Sequence, residues 1–304
     1  MAEHAESREF TASNSTTTAW TPRVHTRQVL GKFWQWVFFG STALAIVLLG
    51  MLLWSIIQPS WNWLSWHLIT DMPSRRPENA GMNSAIWGSI WIVVGSAVFS
   101  FFVGLSTAIY LEEYAPRNRF TRFVQTNISN LAGVPSIVYG LLGLVFFVQW
   151  LNLGRTISAG ALTMGLLILP VVVISSQEAI RAVPLGLRQA SYGLGATKWQ
   201  TIRSHVLPTA MPGILTGMIL SMSRAIGETA PLIVVGASSL VLTRPDGPLS
   251  SYTAMPVQIY NWSARPQQEF EHLAAAAILV LLIVLLSMNA FAIILRQRLS
   301  KNRM

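Results

Sequence analysis

Two ionisable residues, Arg224 and Glu228, stand four apart inside the apolar run 209–239, a spacing that puts both on one face of a helix. Each charge costs about 2.5 to 3.5 kcal/mol at the centre of a membrane helix on insertion scales, so two together point to a use. A structural ion pair is one such use. Cation before anion is the weaker order for such a pair, however, and Gly227 and Pro231 disturb the helix that would hold it. Arg224 could instead face a polar pathway. A guanidinium is permanently charged, and its planar fork of donors matches an oxyanion. Beside backbone amides released by broken helices, Arg224 would lower the cost of carrying an anion through lipid, with Glu228 keeping the site from holding it too tightly. Thr229, Ser136 and Tyr139 are placed on the same pathway.

The helix breaks are expected at Gly133 and Pro135 in the third apolar run, Pro170 in the fourth, and Gly227 and Pro231 in the fifth. Pro135 has no N–H to give the carbonyl of Leu131, and in lipid that break survives only if protein or water meets the released group. Spans three to five should therefore line a pathway.

A second constellation lies at residues 178–208, a polar and basic interruption between two apolar runs. Pro184 suits a first helical turn, after which Leu187, Ala190, Ser191 and Leu194 recur at helical spacing. Gly193 and Gly195 end that helix. Thr197 and Gln200 form a capping box for a second one, with Trp199, Ile202 and Val206 expected on one face and a change of direction at Pro208. Arg181, Arg188, Lys198 and Arg203 would suit a DNA reader, but the flanking apolar runs would pin it against lipid, which argues against nucleic acid. An amphipathic pair lying on headgroups is one alternative. A docking knuckle for a soluble partner is the other.

The elements that must position these residues follow from composition. Of 304 residues, 52% are hydrophobic and 11% charged, and a mean hydropathy of +0.48 makes lipid the solvent for most of the chain. Six apolar runs reach the roughly 20 residues a crossing helix needs: 33–57, 84–110, 128–151, 156–180, 209–239 and 273–295. The expected fold is all-α and polytopic with six transmembrane helices. Residues 1–32 read as a disordered tail, 33–57 as a first, peripheral helix, 58–83 as an external loop, 84–295 as the transmembrane domain and 296–304 as a basic tail. The sixth run, without Gly or Pro, reads as further support. Trp34, Trp36, Trp54, Trp61, Trp63 and Trp66 suit the two water interfaces. Fifteen of the 21 Lys and Arg fall in the tails and in 111–127 and 181–208, against five in the opposite loops, which puts both termini and the 178–208 elbow in the cytoplasm.

Absence of cysteine removes disulfide and thiolate chemistry, and the five histidines have no metal-ligand spacing. There is no phosphate-binding GxxxxGK[ST] loop, so ATP, if used, is hydrolysed on another subunit, and no nucleophile elbow marks an enzyme. No cofactor is expected in this chain.

Gln189-Ala190-Ser191, three residues, Gly195, nine residues, then His205-Val206-Leu207-Pro208 resembles the "EAA" loop of ABC-importer permeases. Gly195, Leu207 and Pro208 match that pattern; Gln189 and His205 depart from it. The resemblance implies a coupling helix that inserts into an ATPase subunit, with Gln189, Ala190, Gly195, Ala196, Trp199, Leu207 and Pro208 as its residues. The words 224–232 (RAIGETAPL), 133–140 (GVPSIVYG) and 109–116 (IYLEEYAP) resemble the phosphate importer permeases, and 71–75 (DMPSR) resembles their A-type subunit. That resemblance implies a type I importer permease fold in a bacterial inner membrane. It also implies a second, paralogous permease subunit, two cytoplasmic ATPase subunits holding ATP and Mg, and an external phosphate-binding protein. Phosphate comes from the resemblance alone; sulfate or molybdate would satisfy the same arginine, and an ion-coupled secondary transporter using Arg224 and Glu228 as a relay is the remaining alternative.

Overall fold

The computed structural model describes residues 24–237 and 241–301. Residues up to Leu53 form one compact unit and those from Trp54 a second. The first helix, α1 (Val24–Ser60), begins nine residues before the apolar run, so Arg27 and Lys32 are helical and not part of a tail. Nothing after Pro22 stops a helix there except the single Gly31. The rest of the expected tail, 1–23, lies outside the described residues.

The second unit holds α2 (Trp66–Thr70), a 3₁₀ turn (Pro77–Asn79), α3 (Asn83–Ile109) continued by a π turn (Tyr110–Tyr114), α4 (Arg119–Leu131), and α5 (Ser136–Gly143) continued by a π segment (Leu144–Trp150). After α6 (Ile157–Arg181) come α7 (Leu185–Gly193) and α8 (Lys198–Thr201). A π turn (Ile202–Val206), α9 (Leu207–Gly227), α10 (Ala230–Val235), α11 (Met255–Ser263) and α12 (Gln268–Lys301) complete it. Among the described residues, five helices are long and apolar enough to cross a membrane, and a sixth crossing exists if the bent pair of α4 with α5 is counted as one. The chain is therefore an all-α, polytopic membrane protein.

α6 is the hub. Two thirds of its span (67%) is buried, against 6% for α12, because α3 packs along one side of it and α9 along another. Small residues set the approach: Gly104 lies on Val172, Gly213 on Ala179, and Gly217 on Ser175. In lipid, where apolar surface is not driven together, such close backbone approach supplies the packing that holds helices. Ile180, Val206, Ala210 and Ile214 close the core at the end bearing α7 and α8, while Leu68, Met82, Trp262 and Phe270 close the opposite end.

Several expectations need correction. The third run is not a helix carrying Pro135 in its interior: α4 stops at Leu131, and the chain turns by 104° before Pro135 caps α5. Residues Gly133 and Val134 close that turn by donating to the Asn130 and Leu131 carbonyls. Pro170 breaks nothing; α6 runs through it, with the ring buried. Pro208 does not redirect the chain either: helix is continuous from Lys198 to Gly227, with the π turn Ile202–Val206 directly before the proline. The C-terminal segment is helical as far as Lys301.

Candidate functional site

The two breaks seen in the sequence, at Gly133–Pro135 and Gly227–Pro231, come together. α9 ends at Gly227, Glu228 and Thr229 make the turn, and α10 restarts at Ala230 with Pro231 in its first turn. α10 packs on α5 so closely that a Cβ on Gly140 would lie 2.8 Å from the Pro231 Cα. The start of α10 therefore packs against α5 little more than a turn from that helix's own start, where the Val138 N–H is already taken by the Pro135 carbonyl.

Arg224 and Glu228 are on the edge of that contact. The Arg224 Nε is 3.6 Å from Glu228 Oε1, with side chains 49% and 21% exposed. Glu228 has left the helix, its backbone extended (φ −78°, ψ 128°), so a turn and not helical register brings the two together. The Nη atoms of Arg224 make no hydrogen bond among the described residues, and its outer fork stays available. Ser136 and Thr229 are half-buried at the starts of α5 and α10. Tyr139 is 6% exposed and packs with Ala225 and Leu232, and its hydroxyl donates to the Leu131 carbonyl at 2.8 Å. The carbonyl that Pro135 cannot serve is thus met twice, by Tyr139 and by the Val134 N–H at 3.1 Å.

The elbow is built from α7, α8 and their turn. Thr197 and Gln200 form the capping box, Gly195 takes φ +79°, and Ser191 Oγ lies 2.9 Å from Thr201 Oγ1, tying the two helices. Leu187 and Ser191 face inward. Leu194 does not: it follows the last turn of α7 and is 90% exposed. Trp199 does not share the face of Ile202 and Val206 either. Thr201 and Ile202 are the buried residues of that turn, which leaves Trp199 on the flank at 52% exposure. Gln189 and Ala190 are exposed with it, Ala196 is intermediate, and Leu207 and Pro208 are half-buried in α9.

What sequence reasoning missed is what fastens this elbow. Arg188 donates from Nη2 to Glu113 Oε1 at 3.0 Å and to the Ile180 carbonyl at 2.8 Å, and from Nη1 to the Val183 carbonyl at 2.7 Å. Its side chain is 14% exposed and that of Glu113 9%. Arg181 pairs with Glu112 and with Glu178. Lys198 lies 4.9 Å from the Tyr114 ring centroid. The π turn that ends α3 thus grips α6, α7 and α8 together. The only signal in the sequence is two adjacent acids among just 12 in the chain. Among the described residues no group of His, Asp and Glu could hold a metal ion.

The chain is 37% identical over 267 residues to the "Phosphate transport system permease protein PstA 1" of Mycobacterium tuberculosis (strain H37Rv), covering 85% of each. It is 36% identical over 190 residues to the "Probable ABC transporter permease protein YqgI" of Bacillus subtilis (strain 168), covering 62% of this chain and 64% of that one. Among solved structures, a chain of a bacterial alginate ABC transporter in complex with its pentasaccharide-bound periplasmic protein shares the fold, with a TM-score of 0.66 at 16% identity over 90% of this chain and 98% of that chain. The sequence profile of the binding-protein-dependent transport system inner membrane component family matches residues 100–301, more than half of the chain, and the protein belongs to that family.

Proposed function

We propose that the chain is the permease subunit of an ATP-driven ABC importer whose substrate is inorganic phosphate. The observation that carries this reading is the likeness to phosphate-transport permeases along most of both chains. It is supported by an arginine with an unengaged outer fork at a doubly broken helical site, which suits a tetrahedral oxyanion. Arg224, Glu228, Thr229, Ser136 and Tyr139 are assigned to the pathway. The chain crosses six times, α4 with α5 making the third crossing, and its termini and elbow face the cytoplasm, where the excess of Lys and Arg lies.

In this scheme the partners are a paralogous permease subunit, two cytoplasmic ATPase subunits holding ATP and Mg, and an external phosphate-binding protein. The exposed Gln189, Ala190, Trp199 and Leu194 dock on an ATPase subunit. Nucleotide-driven closure of the ATPases moves the 184–207 elbow, and the broken helices expose the Arg224 neighbourhood to one side and then the other.

The test is uptake into proteoliposomes holding the assembled transporter. Arg224→Ala abolishes phosphate uptake while the subunits still copurify; undiminished uptake overturns the assignment. Uptake that survives a protonophore and stops on ATP depletion separates an ABC importer from an ion-coupled carrier. Competition by sulfate or molybdate at concentrations where phosphate saturates would instead favour another oxyanion.

A further inference from the structure

A groove of about 410 Å³ runs along the second unit between α3, α9 and α12, with Met255 of α11 at one end and Arg296 at the other. Its walls are hydrocarbon and thioether: Ile90 and Val94 on α3, Met218 and Met222 on α9, and Met288 on α12. The lone hydroxyl in the lining, on Ser89, already accepts the Met255 N–H at 2.8 Å. No Asp or Glu lines it. A wall of this composition offers nothing to a hydrated solute and cannot be part of an anion path. Methionine, unbranched and rotatable, conforms to an irregular flexible guest.

One polar feature breaks the pattern, and it is a charge at an end. Arg296 follows the last residue of the apolar run of α12 and opens the basic C-terminal segment. Its Nη1 donates to Thr216 Oγ1 at 2.9 Å, which holds the guanidinium over the groove while leaving most of its five donors uncommitted. A cleft that is apolar along its length and cationic at the water interface matches an amphiphile with one hydrocarbon chain inside and an anionic head outside.

We propose that this groove is a binding site for an acyl chain of an anionic phospholipid, with Arg296 holding the phosphate of its headgroup. Basic pockets between transmembrane helices on the cytoplasmic side are where such headgroups bind. Bilayer chains are as apolar as the groove, so filling it gains little by itself, and discrimination between lipids rests on Arg296. One arginine near the surface accounts for about a fivefold preference. The inference rests on the membrane location of the chain and on the cytoplasmic side proposed for its C-terminal segment, and stands whether or not phosphate is the cargo.

The experiment uses the full-length chain, purified in detergent with equimolar phosphatidylglycerol and phosphatidylcholine, and reads retained lipid by native mass spectrometry. The wild type keeps one phosphatidylglycerol about fivefold over phosphatidylcholine. Arg296→Gln brings that ratio near one, and Ala292→Leu, which narrows the groove from α12, lowers retention of both. Equal retention by the wild type, or a preference that survives Arg296→Gln, overturns the proposal. So does a photocrosslinker at Val94 that, in native membranes, captures a protein helix instead of lipid.

Discussion

At Arg224 and Glu228 the decisive feature is that the acid sits beyond the helix end. The pair depends on the 228–229 turn, so any movement of α10 against α9 changes the distance between charges without a change of side chain. On the proposed pathway, an anion entering beside Arg224 would compete with Glu228. Neutralising the acid removes that competitor: Glu228→Gln should lower the apparent KM for phosphate about fivefold, corresponding to ~1 kcal/mol for a partly exposed pair, and lower turnover with it. Uptake kinetics in proteoliposomes check this, and a raised KM would contradict it. Tyr139 plays a different part. Tyr139→Phe removes one of two donors to the Leu131 carbonyl and, because Val134 remains, should cost about 0.5 to 1 kcal/mol, read as a small drop in the unfolding temperature in detergent.

The elbow carries the most consequence per residue among the elements. Glu113 and Arg188 are both largely buried, and Arg188 also closes two carbonyls at the end of α6 and the turn after it. Glu113→Gln leaves that guanidinium without its counter-charge, at a cost of about 3 to 5 kcal/mol, and should make ATPase activity of the assembled transporter indifferent to loaded binding protein. Exchanging the two, Glu113→Arg with Arg188→Glu, restores the charges but not the coupling, since a carboxylate cannot donate to the Ile180 and Val183 carbonyls. Gly195→Pro demands φ near −65° where the chain takes +79°, so it too should uncouple hydrolysis from loading. The capping box, five of the six apolar spans and the interruptions at Gly133–Pro135 and Gly227–Pro231 were legible, because each depends on residues within a few positions of one another. The 104° bend before Pro135 was not, since a proline reads alike inside a kinked helix and at the start of a new one. The pairing of Glu112 and Glu113, though their segment stood out, could not be read for another reason: their partners lie 69 and 75 residues away. Trp199 and Leu194 were misplaced because the periodicity was carried across the ends of short helices, where it no longer holds.

Taken whole, the molecule has an asymmetry of charge that fixes a prediction about orientation. The chain has no cysteine, so single replacements report cleanly. Gln189→Cys should react with a membrane-impermeant maleimide only from the cytoplasmic side, and His67→Cys, whose side chain is 81% exposed, only from the outside. The reverse pattern would invert the transporter and remove the elbow from reach of any ATPase. The central place of α6 bears on biogenesis as well. α3 leaves the ribosome before it and α9 after it, and Gly104 meets Val172 without help from anything made later. Two of the three innermost helices can dock while translation continues, so that α9 arrives last, at a seat already made, with Gly213 and Gly217 fitting against Ala179 and Ser175.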